Sequence, residues 1–153
     1  MKRASLAEAS RNQTAKKAAR ILSRSDRGYV VPTAKQKRLL LVEFARKNLV
    51  VYGKAFDVVR LSAEVNLDDG TDIGQNLDNI VLCEIKSSNR ALPGDFKGYF
   101  FALTTAELLV AQNLKDRYRF IFVNTGTEKF LELTLQQVFG RARGIYPTWS
   151  IMF

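Results

Sequence analysis

The chain has 153 residues, 46% of them apolar, and a formal net charge of +9, which fits one globular domain with its own core and argues against a disordered segment. It holds no histidine and one cysteine, Cys83, so Ser-His and Cys-His nucleophilic sites, histidine or cysteine zinc sites and internal disulfides are excluded. Any catalysis would rest on carboxylates, Lys, Arg, Tyr, Ser or a metal held by oxygen, and the positive charge favours a polyanionic partner.

Met-Lys-Arg-Ala-Ser opens the chain with no apolar block behind it, so no secretory signal is expected. The longest apolar runs, Leu39 to Val42 and Phe100 to Leu103, are too short to cross a bilayer. A cytoplasmic protein without a membrane segment follows as the expectation. Residues 1–27 hold Lys2, Arg3, Arg11, Lys16, Lys17, Arg20, Arg24 and Arg27 against only Glu8 and Asp26. Ser5-Leu-Ala-Glu8 has the form of a capping box, and no Pro or Gly follows until Gly28, which predicts a helix over about 5–23. Its apolar residues are sparse. Lys16, Lys17, Arg20, Arg24 and Arg27 are the best candidates for salt-dependent, sequence-independent contacts with a nucleic-acid backbone. The division expected is a basic helical N-terminal extension, 1–30, ahead of a main domain, 31–153.

Gly28 to Pro32 reads as a connector. Thr33-Ala-Lys-Gln36 is a second capping box and opens a helix to about Lys47, with Leu40, Leu41, Phe44 and Ala45 on its apolar face. Leu49 to Tyr52 and Ala55 to Leu61, joined by Gly53-Lys54, read as two strands with a tight turn. Residues 66–79 are acidic and rich in turn formers, hence a loop. Asn79-Ile-Val-Leu-Cys-Glu84-Ile-Lys86 reads as a third strand. Residues two apart on a strand share a face, so Glu84 and Lys86 point the same way while Ile85 turns to the other side. Cys83, inside this strand, is expected to act as a small buried hydrophobe.

A second loop covers Ser88 to Gly98, and Tyr99 to Leu103 reads as a short strand. Thr104-Thr-Ala-Glu107, a third capping box, starts a helix to about Leu114. Tyr118 to Asn124 is apolar on both faces apart from Arg119, which suits an internal strand. Residues 129–142 read as a short strand and a helix through Leu135 and Phe139. The apolar tail, 145–153, is expected to pack down.

This order of helix, three strands, helix and strand, with an acid on the second strand and Glu84-Ile85-Lys86 on the third, resembles the PD-(D/E)xK, or restriction-endonuclease-like, superfamily over roughly residues 33–124. The segment from Glu84 to Asn124 also resembles a nuclease-like domain of bacterial defence proteins, in which an E-x-K strand precedes a Thr-x-x-Glu helix and an aromatic-rich strand. The resemblance implies an α/β fold with a restriction-endonuclease-like core, an αβββαβ mixed sheet flanked by helices. It also implies a catalytic set of Asp57, Glu84 and Lys86. Two departures stand out: Phe56 replaces the proline of the motif, and 27 residues separate Asp57 from Glu84, so an insertion is expected between them. Asp72 and Asp78 compete for the first acid, Asp72 at the more usual spacing, but the strand composition of 55–61 favours Asp57.

The chemistry expected is Mg²⁺-dependent hydrolysis of DNA phosphodiesters, with Mn²⁺ able to substitute. Asp57, Glu84 and the carbonyl of Ile85 would be hard oxygen ligands. The metal would lower the pKa of a bound water and clamp phosphate oxygens, while Lys86 orients that water or stabilises developing charge. A type II-like restriction endonuclease or its catalytic subunit is the leading expectation, with double-stranded DNA as partner and a homodimer or partner subunit for cutting both strands. A structure-specific nuclease, for junction resolution or repair, and a non-catalytic DNA-binding module on the same fold are the alternatives.

Other residues carry less. Glu107 is accounted for by its capping box, Glu43 falls off the apolar stripe of its helix and is expected to be solvated, and Gln112 lies late in the crossover helix. Ser87, Ser88, Asn89 and Arg90 follow the Glu-x-Lys strand and could meet phosphate or base edges, with Arg90 the strongest of them, and Arg141 and Arg143 could do the same. Gly144-Ile145-Tyr146 resembles the opening of GIY-YIG nucleases only by letter, because seven residues remain after it. The glycines in 66–79 match no nucleotide-binding pattern.

Overall fold

The computed structural model describes residues 2–147, with side chains from Gln13 onward. Helix α1 (Lys2–Ser23) leads into strand β1 (Tyr29–Val30), helix α2 (Ala34–Arg46) and strand β2 (Val58–Leu61). A short helix α3 (Gly70–Gln75) precedes β3 (Ile80–Ser88), α4 (Thr105–Leu114), β4 (Tyr118–Asn124), β5 (Phe130–Leu133) and α5 (Leu135–Arg141). The five strands form one mixed sheet in the order β1-β2-β3-β4-β5, in which only β3 and β4 run parallel. Among the described residues no helix is long and apolar enough to cross a membrane.

Both sheet faces are covered, which is why β3 and β4 are apolar nearly throughout. One face carries Leu82, Phe120 and Phe122 against Leu40 and Phe44 of α2, Ile73 of α3, and Val110, Ala111 and Leu114 of α4. The other face carries Val58, Cys83, Ile85, Ile121 and Val123 against Ala18 and Leu22 of α1. Cys83 is buried and unpaired, as its setting predicted. Ala18 and Leu22 are fully buried, and β1 itself spans residues 29–30, where the sequence places the end of the N-terminal extension.

The capping boxes at Thr33 and Thr104 form with both reciprocal hydrogen bonds. α1, by contrast, begins at Lys2, so Ser5 lies within it. Other expectations are corrected. Residues 49–52 are not a strand: Asn48 at φ 58 turns the chain past α2, and Val50 donates its N–H to Asn113 Oδ1 of α4 at 2.9 Å. The outer edge of β2 is taken instead by β1, inside the expected connector. The expected loop 66–79 contains α3, capped by Asp69, whose carboxylate accepts from the Thr71 N–H at 2.8 Å. Residues 99–103 form no strand. Glu43 is 7% exposed rather than solvated: α3 crosses it at Gly70 and Gly74, and its carboxylate pairs with Arg46 at 3.1 Å. At the C-terminal end Ile145 and Tyr146 are exposed, and residues 148–153 of the expected packed tail lie outside the described residues.

On the α1 face the side chains of the two edge strands reach one another. Tyr29 of β1 lies edge-on to Phe130 of β5, with centroids 5.9 Å apart, and its hydroxyl donates to Glu132. Glu132 also pairs with Arg60 and Arg119, at 3.2 and 3.4 Å. The turn into β1 depends on Gly28, which sits at φ 77 with its carbonyl accepting from Leu61 N–H at 2.9 Å. A Cβ there would fall 2.2 Å from the Leu61 carbonyl oxygen. Gly28→Ala is therefore expected to lower unfolding stability by about 1–3 kcal/mol through clash and strain. Gly94→Ala, with nothing within 4 Å of the new methyl group, should leave the denaturant midpoint nearly unchanged, and paired urea titrations of the two variants check both outcomes.

Candidate active site

The alternation of β3 puts Ile85 into the α1-side core and turns Glu84 and Lys86 toward α4. β3 is the middle strand, so both charged groups are largely withdrawn from water: Glu84 is 8% exposed and the Lys86 side chain 11%. The Lys86 ammonium donates to Glu84 Oε1 at 3.1 Å and to Glu107 Oε2 at 2.8 Å. The same Glu107 oxygen accepts from the Thr104 N–H at 3.1 Å, completing the cap of α4. Glu107 thus joins the cluster while also capping its helix. The signal for this lay in topology: a helix that crosses over between parallel strands starts beyond the C-terminal end of the first. Its first turn, where Glu107 sits, therefore faces Lys86.

Asp57 is exposed and lies just before β2 rather than on a strand as the composition of 55–61 predicts, because β2 begins only at Val58, and three anchors hold it there. Tyr118 donates its hydroxyl to the Ala55 carbonyl, Lys37 donates to the Phe56 carbonyl at 2.7 Å, and the Asp57 N–H donates to Cys83 O at 2.9 Å. Its Oδ2 then accepts from the Ile85 N–H at 3.0 Å. The N–H and C=O of one strand residue leave on the same side, so the Ile85 carbonyl also faces the β2 edge. Its competitors are held elsewhere. Asp72 accepts from the Asn66 N–H at 2.6 Å and from the Asn76 amide at 3.0 Å, closing the α3 turn. Asp78 pairs with Arg117.

Charge within this cluster is unbalanced: Glu84 and Glu107 share one ammonium, and the Asp57 charge acts on Glu84 as well. Burial pushes the Glu84 pKa up, and the neighbouring Asp57 and Glu107 charges add to it against Lys86, leaving it at about 8. Burial alone would lower the Lys86 pKa, but Glu84 and Glu107 outweigh it and hold it above the ordinary lysine value. Lys86 is therefore an ammonium at neutral pH. Tyr118 resists ionisation because it is buried and because Glu84, Glu107 and Asp57 lie near.

Among the described residues no group of three or more carboxylate or thiol side chains converges to cage a metal ion. The donor set is smaller: the Asp57 and Glu84 carboxylates with the Ile85 carbonyl. That set suits Mg²⁺, which commonly takes one or two protein carboxylates and keeps several waters.

The candidate nucleic-acid contacts are spread around the molecule. Lys16, Lys17, Arg20 and Arg24 are exposed and make no ion pair among the described residues, and Arg27 lies over the Phe130 ring at 5.1 Å. They belong to the α1 side of the sheet, opposite the face that carries Glu84 and Lys86. Asn89 and Arg90 are exposed just beyond β3. Ser88 is buried, its hydroxyl accepting from the Arg90 N–H at 3.1 Å, and Ser87 accepts through its carbonyl from Tyr99 at 2.8 Å. Gln112, Arg141 and Arg143 are exposed. Comparison with protein-family models, with curated proteins and with solved structures gives no match to this chain.

A raised carboxylate pKa has a defined thermodynamic sign. The folded chain holds the Glu84 proton more tightly than the unfolded chain, so its contribution to stability is full below the ordinary value of 4.5 and lost as pH rises through about 8. Thermal midpoints measured across this window should fall in the wild type and fall less in Glu84→Gln. Asp57→Asn, by removing a charge that raises the Glu84 pKa, should move the upper end of the window to lower pH.

Proposed function

We propose that the chain is a Mg²⁺-dependent deoxyribonuclease with a restriction-endonuclease-like core, acting as a type II-like restriction endonuclease or its catalytic subunit. The observation that carries this reading is the approach of Asp57 to the Glu84-Ile85-Lys86 strand, through its hydrogen bond to the Ile85 N–H. Asp57, from the segment entering β2, thereby lies beside the strand that carries Glu84 and Lys86. The Glu84 pKa, raised first by burial and further by the Asp57 and Glu107 charges, supports it too, because a divalent cation would relieve the repulsive part.

Asp57, Glu84 and the Ile85 carbonyl would hold Mg²⁺, with Mn²⁺ as a substitute. Such an ion, when bound, lowers the pKa of a bound water and neutralises charge on phosphate oxygens. Lys86 supplies a fixed ammonium for the charge that develops as the phosphodiester breaks, a contribution of about 3–4 kcal/mol for comparable preorganised donors. Glu107 fixes the direction of that ammonium from the helix side. Glu84 must shed its proton to serve as a ligand, so metal affinity should strengthen as pH approaches 8. Arg90 near the site, and Lys16, Lys17, Arg20, Arg24 and Arg27 on the far face, would add salt-dependent affinity for the DNA backbone. One such site cuts one strand, so cutting both calls for a homodimer or a partner subunit. The reading places the protein in the cytoplasm.

One feature favours a second reading. The Lys86 ammonium is already engaged by carboxylates on either side, as in a purely structural ion-pair network on a DNA-binding module that does not cut.

Purified wild type and Lys86→Ala, incubated with plasmid and phage DNA in Mg²⁺, separate the two. Discrete fragments from the wild type alone are the expected result, with DNA binding kept by both proteins. Equal cleavage by Lys86→Ala would sink the assignment, and binding without cleavage by either would select the module. Cleavage of branched DNA in preference to linear duplex would select a structure-specific nuclease.

A further inference from the structure

The segment 89–103 leaves β3 beside Lys86 and returns at α4, and its four aromatic residues divide into two kinds. Phe96, Tyr99 and Phe101 turn inward onto Phe122 of β4, with centroid distances of 5.9, 6.2 and 4.9 Å. Phe100 lies between two of these anchored rings and is 80% exposed, the most exposed large hydrophobic side chain among the described residues. Neighbouring backbone is tightly set. Phe96 adopts φ 59 and Gly98 φ 81, the Phe96 N–H donates to Pro93 O at 2.9 Å, and the Tyr99 N–H donates to Phe96 O at 3.1 Å. A bulky residue in the left-handed region is strained and persists only where its surroundings over-determine it.

The segment is also tied to the candidate site. Tyr99 donates its hydroxyl to the carbonyl of Ser87, the residue after Lys86, at 2.8 Å. Arg90 and Lys97, on the same segment, are exposed and make no ion pair among the described residues. Scattered single hydrophobic side chains on a surface need no explanation. Phe100 differs in being aromatic, flanked by anchored neighbours, accompanied by exposed cations and adjacent in sequence to Tyr99, which is bonded to the residue after Lys86.

We propose that Phe100 is a stacking platform for an unpaired nucleobase adjoining a phosphate held at Glu84 and Lys86, so that DNA carrying an unpaired nucleotide is the preferred substrate; this rests on the metal-dependent nuclease chemistry above and selects its structure-specific form over the restriction endonuclease. An exposed ring can stack on any base, because every base has a π-face, and such stacking changes affinity by about 5- to 100-fold per base. A base inside intact duplex is already stacked on its neighbours and cannot use the ring without being displaced.

The test uses the full chain in EDTA, so that no strand is cut, with a duplex carrying one unpaired 2-aminopurine beside the same duplex fully paired. Wild type is expected to bind the bulged duplex more tightly and to quench its fluorescence. Phe100→Ala should weaken that binding by about 5- to 100-fold and remove the quenching, with the salt dependence unchanged, while Phe100→Trp restores both. Equal affinity of the wild type for the two duplexes, or a Phe100→Ala variant indistinguishable from wild type, overturns the proposal. Lys86-dependent cleavage would leave the nuclease reading standing in that case. A wild type that binds neither duplex overturns it as well.

Discussion

Placing a carboxylate and an ammonium on the middle strand of a sheet covered on both faces sets the terms for everything near it. Each group loses water, and the attraction between them offsets that loss only if geometry and further hydrogen bonds are good. Here the ammonium of Lys86 is closed between Glu84 on its own strand and Glu107 on the following helix. α4 must therefore begin where Glu107 can reach Lys86, and its cap at Thr104 uses the same carboxylate oxygen. One interaction fixes the height of a helix along the strand, the rotamer of a lysine and the first turn of the helix.

Asp57 adds a charge that no ion pair among the described residues neutralises. Its carboxylate is bonded to a peptide N–H rather than to a cation, and its nearness to Glu84 raises the energy of the ionised pair. Stability alone gives no reason for this arrangement, since buried ion pairs replaced by well-packed apolar groups are often neutral or stabilising. Perturbed carboxylates cluster where charge is put to use. The same side of the sheet holds the anchored aromatic segment, whereas Lys16, Lys17 and Arg20 of α1 lie on the other.

Elements whose signals are local were legible in the sequence. The capping boxes at Thr33 and Thr104 gave two helix starts, because cap chemistry involves residues three apart. The apolar character of β3 and β4 gave two internal strands, and alternation put Glu84 and Lys86 on one face. Signals that depend on distant partners were not legible. Val50 and Val51 have strand composition, but β1 already occupies the edge they would need, and a two-residue strand leaves almost no trace in composition. α3 is hidden in a glycine- and aspartate-rich stretch because burial of Ile73 and Leu77 stabilises it, not propensity. Glu43 looked solvated because the helix that buries it was read as loop. Glu107 looked fully explained because a capping role and an ion pair are not exclusive, and only the crossover topology brings the second one to it.

The contact of Tyr29 with Phe130 and Glu132 also bears on how the chain becomes folded. Spatial order in the sheet follows chain order, so the first and last strands are its opposite edges, yet the Tyr29 hydroxyl and Glu132 meet across 103 residues of sequence. Closing so long a loop is entropically costly before any contact rewards it. The central pairing of β3 and β4 spans one crossover and can form earlier. α1 packs on β2, β3 and β4, whereas the Tyr29 contacts with Phe130 and Glu132 can form only once β5 is in place. During synthesis Tyr29 thus waits for β5 before this contact can form.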